Sequence, residues 1–479
     1  MRLAGNCDVR ADLAVGGHGA ADAPSLEGLH RTVPVPPPSA GFWRQWRAFA
    51  GPAFLVSVGY MDPGNWGTDL KAGAVFRYDL LWVVAVSSLM AIVLQVLAAR
   101  LGVVAGKDLA QACRDFYPRW SRWPNWLACE AAIAACDLAE VLGSAVAINL
   151  LFGIPLFWAV IITAFDVLLL LALQGLGMRL IEAIILALVV TIAACFFVEL
   201  FVIPPTRPDF AEMGRALLTP GLREAGMVTL AIGIIGATVM PHNLYLHSAL
   251  VQSRRTGAGD DAIRRAIRFN TIDTVLALAA AFLVNAAILV LAANVFHGRD
   301  AVPLPGGEVV KLVAPEGEPE PDWIRVAYLT LAPLLGTAAA STLFAVALLA
   351  SGQSSTITGT LAGQVVMEGF MHWRLRPWVR RLVTRLLAVL PAVLVIGLRG
   401  EGSVTDLLVL SQVVLAMQLP FAMFPLLHFT GSRARMGRYA SGRLLLAAGW
   451  VSAILITALD LYGLPDSLRE AWAVIVGPG

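Results

Sequence analysis

Asp62-Pro63-Gly64-Asn65 interrupts an apolar segment that runs from about Phe49 to Ala74. A carboxylate, a proline, a glycine and an amide in succession disfavour a continuous helix, because Pro63 has no N–H to donate and Gly64 adds backbone freedom. If the segment crosses a membrane, its helix must break here. A broken backbone at membrane depth is tolerated only where protein buries it or where it lines a wet cavity. An ionisable group in such a place indicates a site for an ion or a proton.

A second apolar run, from Met227 to Leu250, carries a similar interruption in the stretch Gly236-Ala-Thr-Val-Met-Pro-His-Asn243. This stretch also contains a proline that is followed by polar side chains. Two interrupted hydrophobic segments at corresponding places in the two halves of a chain indicate the substrate site of a transporter. The sequence therefore predicts that the two breaks face each other.

The composition of the chain is that of a membrane protein. Of its 479 residues, 58% are hydrophobic and 14% are charged, and the mean hydropathy is +0.73. A soluble domain carries about 25% charged residues, and segments of about twenty apolar residues span hydrocarbon. We therefore expect an all-α polytopic membrane protein. The five cysteines form no Cys-x-x-Cys pair, so neither a disulfide framework nor a zinc site is expected.

The two ends of the chain differ from the apolar segments. Residues 1–42 are rich in Gly, Ala, Asp and Pro and contain no apolar core of a signal peptide. They predict a disordered cytoplasmic tail. Trp43 and Trp46 follow this tail and are expected at the membrane interface. Residues 466–479 are expected to form a short extracytoplasmic tail.

Eleven apolar segments are predicted to span the membrane, and the breaks fall in the first and the sixth. This spacing fits two five-helix repeats of opposite orientation, at about 49–203 and 226–429, followed by an extra helix at about 441–463. The predicted spans are roughly 49–74, 79–104, 125–152, 154–173, 178–203, 226–252, 267–296, 324–350, 382–398, 404–429 and 441–463.

The distribution of basic residues predicts the orientation of the chain. Loops that follow even-numbered spans contain more Arg and Lys than the other loops, and such loops stay in the cytoplasm. The amino terminus is then cytoplasmic and, with an odd number of spans, the carboxyl terminus lies outside. We expect a multi-pass protein of the plasma (inner) membrane.

The residues at the breaks indicate the kind of ion. Asp62 and Asn65 offer a carboxylate and an amide oxygen, and unwound peptide groups add carbonyls; alone, these would suit Na⁺, Mg²⁺ or Mn²⁺. The thioether of Met240 has little to offer a hard ion and favours Fe²⁺, Mn²⁺, Co²⁺ or Cd²⁺. The alternative is that Met240 only fills a gap in the packing. Its place directly before Pro241, at one of two matched breaks, favours the ligand interpretation.

Several titratable residues inside the spans could form a proton route. His titrates near neutral pH, and Asp137 and Glu140 share one face of the third span, where carboxylates must be solvated, protonated or paired. The alternatives are a hydrogen-bonded packing role for His247 and structural ion pairs for the carboxylates. The predicted route comprises Asp62, His242, His247, Asp137, Glu140 and the candidate cations Arg254, Arg380, Arg381 and Arg385.

Three other functions compete with metal transport. A channel would leave the paired breaks unexplained. A Mg²⁺ carrier would gain little from the thioether of Met240, and an amino-acid carrier would be expected to lack Asp62 beside the break. A membrane enzyme would need a nucleophile–base pair or a catalytic metal motif, and the sequence offers neither, so no catalytic residue is assigned.

The motifs resemble those of the Nramp family of proton-coupled divalent metal transporters. Asp62-Pro-Gly-Asn65 and Ala237-x-x-Met240-Pro-His-Asn243 look like the paired signature of that family. The resemblance covers roughly residues 43–465. Further stretches that agree are 101–111, Asp137-Leu-Ala-Glu140, 351–370 (placed after the eighth span) and Ser411-Gln412.

The resemblance implies a LeuT-type fold with a metal site at the membrane midplane. The ligands that it implies are Asp62, Asn65, Met240, the backbone carbonyls of Gly59 and Ala237, and, in some conformations, Gln412. It also implies proton-coupled import of Mn²⁺ or Fe²⁺, and of Cd²⁺ and Co²⁺, into the cytoplasm by alternating access. No resident cofactor, nucleic acid or obligate protein partner is expected, only the ions, protons and the lipid bilayer.

This chain departs from the family pattern at two positions. Gly59 stands where alanine is frequent, which we expect to change flexibility more than chemistry. Cys136 stands where a threonine is usual, beside the predicted proton route.

Overall fold

A computed structural model describes eleven parts of the chain. Most of the predicted amino-terminal tail and the end of the predicted fourth span, 167–173, lie outside them. The described residues are 28, 30–166, 178–202, 207–224, 226–257, 259–303, 309–312, 323–335, 338–373, 375–399 and 404–476.

The first half of the chain is helical. Short 3-10 turns stand at Gly59–Met61, Arg119–Ser121 and Ala164–Asp166, and a π-helical turn stands at Val198–Val202. The α-helices are α1 (Phe42–Phe49), α2 (Pro52–Ser57), α3 (Pro63–Phe76), α4 (Leu81–Ala105), α5 (Leu109–Phe116), α6 (Arg122–Phe152), α7 (Leu156–Thr163), α8 (Met178–Phe197) and α9 (Phe210–Leu218).

The second half is also helical, with two small strand pairs. β1 (Val33–Pro34) pairs in parallel with β2 (Arg254–Arg255), and β3 (Ala301–Pro303) pairs antiparallel with β4 (Val309–Lys311). The α-helices are α10 (Met227–Val239), α11 (Pro241–Leu250), α12 (Asp260–Val295), α13 (Trp323–Leu335), α14 (Ala338–Met371), α15 (Pro377–Arg399), α16 (Val404–Gly431), α17 (Arg433–Met436) and α18 (Arg443–Val476).

Nine segments of the described residues are long and apolar enough to cross a membrane, so the chain is polytopic as predicted. The first predicted span is not among them, because its break leaves two shorter helices, and only the start of the fourth is described. The nine segments are Leu81–Ala105, Arg119–Phe152, Arg179–Val202, Met227–Ser253, Asp260–Val295, Ala339–Met371, Val379–Leu398, Leu407–Gly431 and Arg443–Pro465.

The first helix break lies where the sequence predicts it. After α2 and one 3-10 turn, Asp62 adopts an extended conformation (φ −68°, ψ 166°) and caps α3 by accepting a hydrogen bond from the backbone N–H of Asn65. Pro63 occupies the first helical position, where its missing N–H has no intrahelical partner to lose. The same residues that end one half-helix therefore begin the next.

The second break rests on the backbone of a single residue. Met240 separates α10 from α11 with φ 34° and ψ 100°. A positive φ is unusual for a bulky residue and persists only where the surroundings hold it. Pro241 again takes the first position of the following helix. This prediction is confirmed as well.

The predicted position of the eighth span was wrong. The span was expected at 324–350 with the polar stretch 351–370 after it. Instead α13 is a separate shorter helix, and the apolar segment Ala339–Met371 includes the polar stretch. Several of its hydroxyls are satisfied inside the helix: Ser354 donates to the carbonyl of Ala350 at 2.7 Å, and Thr360 donates to that of Thr356 at 2.8 Å.

The described end of the predicted tail is attached to the helices. Val33 is buried in its pairing with Arg254, and the N–H of Arg31 donates to the carbonyl of Gln252 at 3.0 Å. α1 then packs on α12, where the rings of Phe49 and Phe269 stack 5.5 Å apart. Residues that precede α1 therefore also contact the helical bundle.

The second broken helix lies at the centre of the bundle. In the most apolar part of Met227–Ser253, 89% of residues are buried, against 28% in Arg443–Pro465. Close approach makes this packing possible: a Cβ on Gly236 would overlap the backbone of α16, and one on Gly73 would overlap that of α12. One half of each broken helix, α10 and α3, therefore contacts its neighbour backbone to backbone.

Candidate functional site

Asp62 and Asn65 connect the two breaks. One carboxylate oxygen of Asp62, Oδ1, accepts hydrogen bonds from the backbone N–H and from Nδ2 of Asn65, at 2.8 and 2.7 Å. The same amide group, Nδ2, donates to the carbonyl of Ala237, at 3.1 Å, in the last turn of α10. The predicted carboxylate, amide and carbonyl ligands therefore lie within one hydrogen-bonded group.

Three buried oxygens beside this group have no hydrogen-bond partner among the described residues. They are Oδ2 of Asp62, Oδ1 of Asn285 and Oε1 of Gln412. Nδ2 of Asn285 contacts Oδ1 of Asn65 at 3.2 Å. Burial without a partner is costly for a polar atom. Each of these oxygens has a free lone pair for a cation or a water molecule.

The thioether of Met240 lies at the first break. Met240 is fully buried, and a Cβ on Gly59 would lie 3.2 Å from its sulfur. Nδ2 of Asn243 donates to this sulfur at 3.4 Å. The same Asn243 amide fills the space that a side chain at Gly59 would need. An alanine at position 59 would thus displace Asn243, a steric consequence that the sequence alone did not indicate.

Gln412 reaches the first break from α16. Its amide lies so close to Gly64 that a Cβ there would overlap it. Its Nε2 donates to the hydroxyl of Ser411 at 2.9 Å. The structure therefore brings Gln412 to the same break as the predicted ligands, with its amide against the backbone of the Asp62–Asn65 turn.

His242 is connected to the third span through Cys136. The Sγ of Cys136 lies 3.8 Å from Nε2 of His242 and 3.7 Å from Oε1 of Glu140. All three side chains are buried. His242 follows Met240 by two residues, so a chain of polar groups leads from the second break to a carboxylate on α6. The residue that departs from the family pattern stands in the middle of this chain.

The carboxylates of α6 are paired with arginines of α15. Asp137 Oδ1 accepts from Arg381 at 2.6 Å and from Arg385 at 2.9 Å. Glu140 Oε2 accepts from Arg381 at 3.4 Å and from the hydroxyl of Thr356 at 3.1 Å. Single buried charges are costly, whereas paired and hydrogen-bonded ones are tolerated. This arrangement is compatible with both interpretations, a proton route and a set of structural ion pairs.

We call the ion pairs between the carboxylates of α6 and the arginines of α15 the carboxylate ladder. Arg380 forms its most exposed pair. Its Nη2 contacts both carboxylate oxygens of Glu130, at 2.9 and 2.8 Å, and Glu130 is less buried than Asp137 or Glu140. The three candidate arginines near the start of the ninth span therefore all pair with carboxylates of the third span.

His247 belongs to a different hydrogen-bond network. Its Nδ1 lies 2.9 Å from Oε1 of Gln95, and Nε2 of Gln95 donates to the hydroxyl of Tyr60 at 2.7 Å. This network joins α11 to α4 and to the turn before Asp62. The contacts support the alternative that His247 is a hydrogen-bonded packing residue.

Arg254, one of the candidate cations of the predicted proton route, pairs with a carboxylate outside α6. Its Nη1 forms an ion pair with Glu182 at 2.7 Å, and its Nη2 donates to the carbonyl of Ala50 at 2.7 Å. Arg179 binds the same carboxylate and the same carbonyl. These contacts hold the chain just before α2, on the side of the amino terminus.

Sequence reasoning missed three polar residues at or near the site. Tyr60 and Gln95 belong to the network of His247, and Thr356 binds Glu140. Asn285 was not among the predicted site residues either, yet its Nδ2 donates to Oδ1 of Asn65. A signal was present for Gln95, which is the one amide side chain in the mostly apolar helix α4.

The donor set of the site is unusual for a protein metal site. Within the described residues, no group of three or more His, Cys, Asp or Glu side chains is placed to hold a metal ion. The groups that the structure brings to the breaks are the carboxylate of Asp62, amide and carbonyl groups, and one thioether. A mixed set of hard and soft donors of this kind is of the type that borderline divalent ions accept.

Comparison with known proteins identifies close relatives. The divalent metal cation transporter MntH of Nostoc sp. is 50% identical over 447 residues, which cover 93% of this chain and 96% of the relative. The protein of the same description from Mesorhizobium japonicum is 48% identical over 448 residues, covering 93% and 94%. Relatives of this similarity share a fold over the whole membrane domain.

Solved structures give the same result. The manganese transporter of Eremococcus coleocola matches with a TM-score of 0.82 and 38% identity, covering 95% of this chain and 93% of that one. A nucleobase-cation-symport-1 family transporter, MHP1, matches with a TM-score of 0.55 and 13% identity over 89% and 92% of the two chains. The second likeness concerns the fold alone and confirms the predicted LeuT-type architecture.

The family model described as natural resistance-associated macrophage protein-like, Nramp, matches residues 53–466. The matched range contains both helix breaks, the carboxylates of α6 and the arginines of α15. The chain is an integral membrane protein and belongs to the Nramp family.

Proposed function

We propose that this chain imports divalent transition metal ions into the cytoplasm by proton-coupled alternating access. The proposed substrates are Mn²⁺ and Fe²⁺, and also Cd²⁺ and Co²⁺. The observation that carries the proposal is the meeting of both helix breaks at Asp62, Asn65, Ala237 and Met240. The relatives named as divalent metal cation and manganese transporters support it.

The proposed ligands are those at the two breaks. They are Asp62, Asn65, Met240, the carbonyls of Gly59 and Ala237, and, in some conformations, Gln412. In the structure, Nδ2 of Asn65 points at two of the proposed ligand oxygens. Rotation of this amide by half a turn would exchange Nδ2 for Oδ1. A metal ion could then replace both hydrogen bonds with metal–oxygen contacts.

The proposed proton route leads from Asp62 and His242 to Glu140 and Asp137, beside Arg381, Arg385 and Arg380. Cys136 bridges its middle. His247 and Arg254 are left out, because their contacts lie with Gln95 and Glu182. Bound metal favours the ionised form of Asp62, so metal binding and proton release are linked at this residue. Metal and proton can thus leave by different routes.

The orientation of the chain is also a proposal. The basic loops place the amino terminus in the cytoplasm and the carboxyl terminus outside. Cysteine labelling with a membrane-impermeant maleimide tests it, because Cys7 lies in the amino-terminal tail. Labelling of Cys7 in intact cells would contradict this orientation.

Reconstituted transport tests the function. In proteoliposomes with an acidic outside, we expect saturable Mn²⁺ uptake that the pH gradient accelerates. Fe²⁺, Cd²⁺ and Co²⁺ should compete, whereas Mg²⁺ and Ca²⁺ should not. Uptake that does not saturate and ignores the pH gradient would indicate a channel instead.

The carboxylate ladder predicts a separate effect on protons. We expect Glu140→Gln and Asp137→Asn to reduce metal-dependent acidification of the lumen at least about tenfold, because each removes a proton-accepting group of the proposed route. Metal affinity should change only a few-fold. A pH-sensitive dye inside the liposomes measures the first effect, and calorimetry measures the second.

Glu182→Gln is the matched control for these two variants. It removes a buried carboxylate that pairs with Arg254 rather than with the α15 arginines, so its proton-to-metal ratio should stay at the wild-type value. If both ladder variants acidify the lumen as the wild type does, the route lies elsewhere.

A further inference from the structure

Three tryptophans form a cluster at one end of α6. The rings of Trp123 and Trp126 stand 5.8 Å apart, and each also packs edge to face against Trp373, at 6.4 and 5.6 Å. Trp123 is 53% exposed and Trp373 is 48% exposed. We call these three residues the tryptophan cluster. Large aromatic rings left this open on a folded protein indicate contact with something outside the chain.

The tryptophan cluster lies at the edge of the lipid-facing surface. One turn beyond Trp123 on the same side of α6, Leu127 is 56% exposed. The neighbouring helix α15 has its own row of exposed apolar side chains. That row comprises Val383, Leu386, Leu387, Leu390, Leu394 and Leu398. Tryptophan is favoured where such an apolar surface meets the headgroups.

Two arginines flank the tryptophan cluster. Arg119 precedes Trp123 by four residues, and Arg376 follows Trp373 by three. Both side chains are exposed. Within the described part of the chain, neither guanidinium has a hydrogen bond or an ion pair, so no carboxylate in that part competes with an incoming anion. The surface combines an aromatic wall with two available cations.

A buried ion pair lies directly behind this surface. The indole N–H of Trp126 donates to Glu130 at 3.0 Å, and Glu130 is the partner of Arg380. Glu130 is thus already neutralised, so the open face of the tryptophan cluster keeps a net positive charge. The pair also fixes the orientation of the Trp126 ring.

We propose that the tryptophan cluster, with Arg119 and Arg376, binds the headgroup of an anionic phospholipid. The phosphate group would lie between the two guanidinium groups, and the glycerol and upper acyl chains would pack on the indole rings. Guanidinium groups bind phosphate by paired hydrogen bonds. Basic surfaces at the headgroup level attract anionic lipids. This lipid site is separate from the proposed metal site.

Lipid retention by the purified full-length chain tests the proposal. Native mass spectrometry would count phosphatidylglycerol and phosphatidylcholine molecules that remain bound at increasing detergent activation. We expect one phosphatidylglycerol to remain, and phosphatidylcholine to bind at least tenfold more weakly. The double variant Arg119→Gln with Arg376→Gln should bind phosphatidylglycerol about thirtyfold more weakly, since each arginine at an anionic lipid surface contributes on the order of 1 kcal/mol.

The double variant Arg433→Gln with Arg443→Gln is the matched control. It removes two exposed arginines from other basic segments and makes the same change in net charge. It should retain phosphatidylglycerol as the wild type does. A third variant, Trp373→Leu, should weaken the binding of both lipids, because it removes an aromatic wall rather than a charge.

Three outcomes would overturn the proposal. Equal retention of both lipids by the wild type would show that no anionic headgroup is selected. If the Arg119→Gln, Arg376→Gln variant retains phosphatidylglycerol as the wild type does, these two arginines do not bind the lipid. Equal loss in the control would indicate diffuse attraction by net charge. Because no outcome depends on metal transport, the test is independent of the proposed function.

Discussion

Replacement of Asp62 by alanine should abolish the binding of divalent metal ions to this chain. Asp62 is the only charged side chain among the proposed ligands, and it is fully buried at the junction of the two breaks. A divalent ion in a buried site needs a compensating charge. We expect the affinity for Mn²⁺ to fall by at least about a thousandfold, which corresponds to about 4 kcal/mol. Isothermal titration calorimetry of the purified protein measures this loss.

A second aspartate on the same helix serves as the control for Asp62. Asp69 lies on α3, is 1% exposed and is not a proposed ligand. Asp62→Asn and Asp69→Asn make the same isosteric change seven residues apart. We expect Asp62→Asn to lose nearly all of the affinity and Asp69→Asn to keep it within a few-fold. If both Asp62 variants bind Mn²⁺ with the wild-type affinity, Asp62 is not a metal ligand.

The positions of both breaks could be predicted because their causes are local. Pro63 and Pro241 begin helices, and Asp62 supplies the cap that the second half of the first broken helix needs. No distant contact is required to predict either. The contact between the two breaks depends on tertiary structure. The sequence predicted it only because the two halves of the chain carry matching breaks, and such halves pack against each other in transporters built from inverted repeats.

The eighth span shows where hydropathy misleads. A hydropathy average treats serine and threonine as polar wherever they stand. In α14, however, Ser354 and Thr360 donate their hydroxyl hydrogens to carbonyls one turn back, so the polar groups are satisfied within the helix. A polar stretch can then continue a buried span. The sequence shows these serine and threonine residues, but it does not show that their hydrogen-bond partners lie in the same helix.

The partners of buried charges are the least predictable feature. Arg254 lies just after the sixth span and the arginines of α15 lie near the start of that helix, and nothing local distinguishes them. Tertiary packing decides that Arg254 meets Glu182 and that Arg381 meets Asp137. Likewise, the amide of Asn243 fills the space beside Gly59. Such complementarity joins residues that are far apart in sequence.

The replacement of Met240 by alanine should change which ions are excluded. The affinity for Mn²⁺ and Fe²⁺ should fall little when the thioether is removed, and the affinity for Cd²⁺ should fall more. Sulfur adds almost nothing to the affinity for Mg²⁺ and Ca²⁺. In the mutant, a water oxygen can occupy the vacated space, and hard ions prefer oxygen. We therefore expect Mn²⁺ uptake to continue with a modest loss, while millimolar Mg²⁺ or Ca²⁺ becomes inhibitory.

The surroundings of Met240 make this exchange feasible. Its sulfur already accepts a hydrogen bond from Asn243. In the alanine variant that amide would be free to hold the incoming water. A single soft contact should shift the ratio of Cd²⁺ to Ca²⁺ affinity by about tenfold to a hundredfold, each tenfold being about 1.4 kcal/mol. Uptake of Mn²⁺ with rising Cd²⁺, Ca²⁺ or Mg²⁺, in wild type and variant side by side, measures the shift.

Met61→Ala is the matched control for Met240→Ala. Met61 is also fully buried and precedes Asp62 directly, yet it lies in the 3-10 turn and is not a proposed ligand. Its removal creates a cavity of the same kind without the loss of a ligand, so Ca²⁺ should remain a poor inhibitor. If both variants give the wild-type inhibition curve, the Met240 thioether only packs. Selectivity would then arise from the shape of the cavity or from differences between the ions in the cost of removing their water.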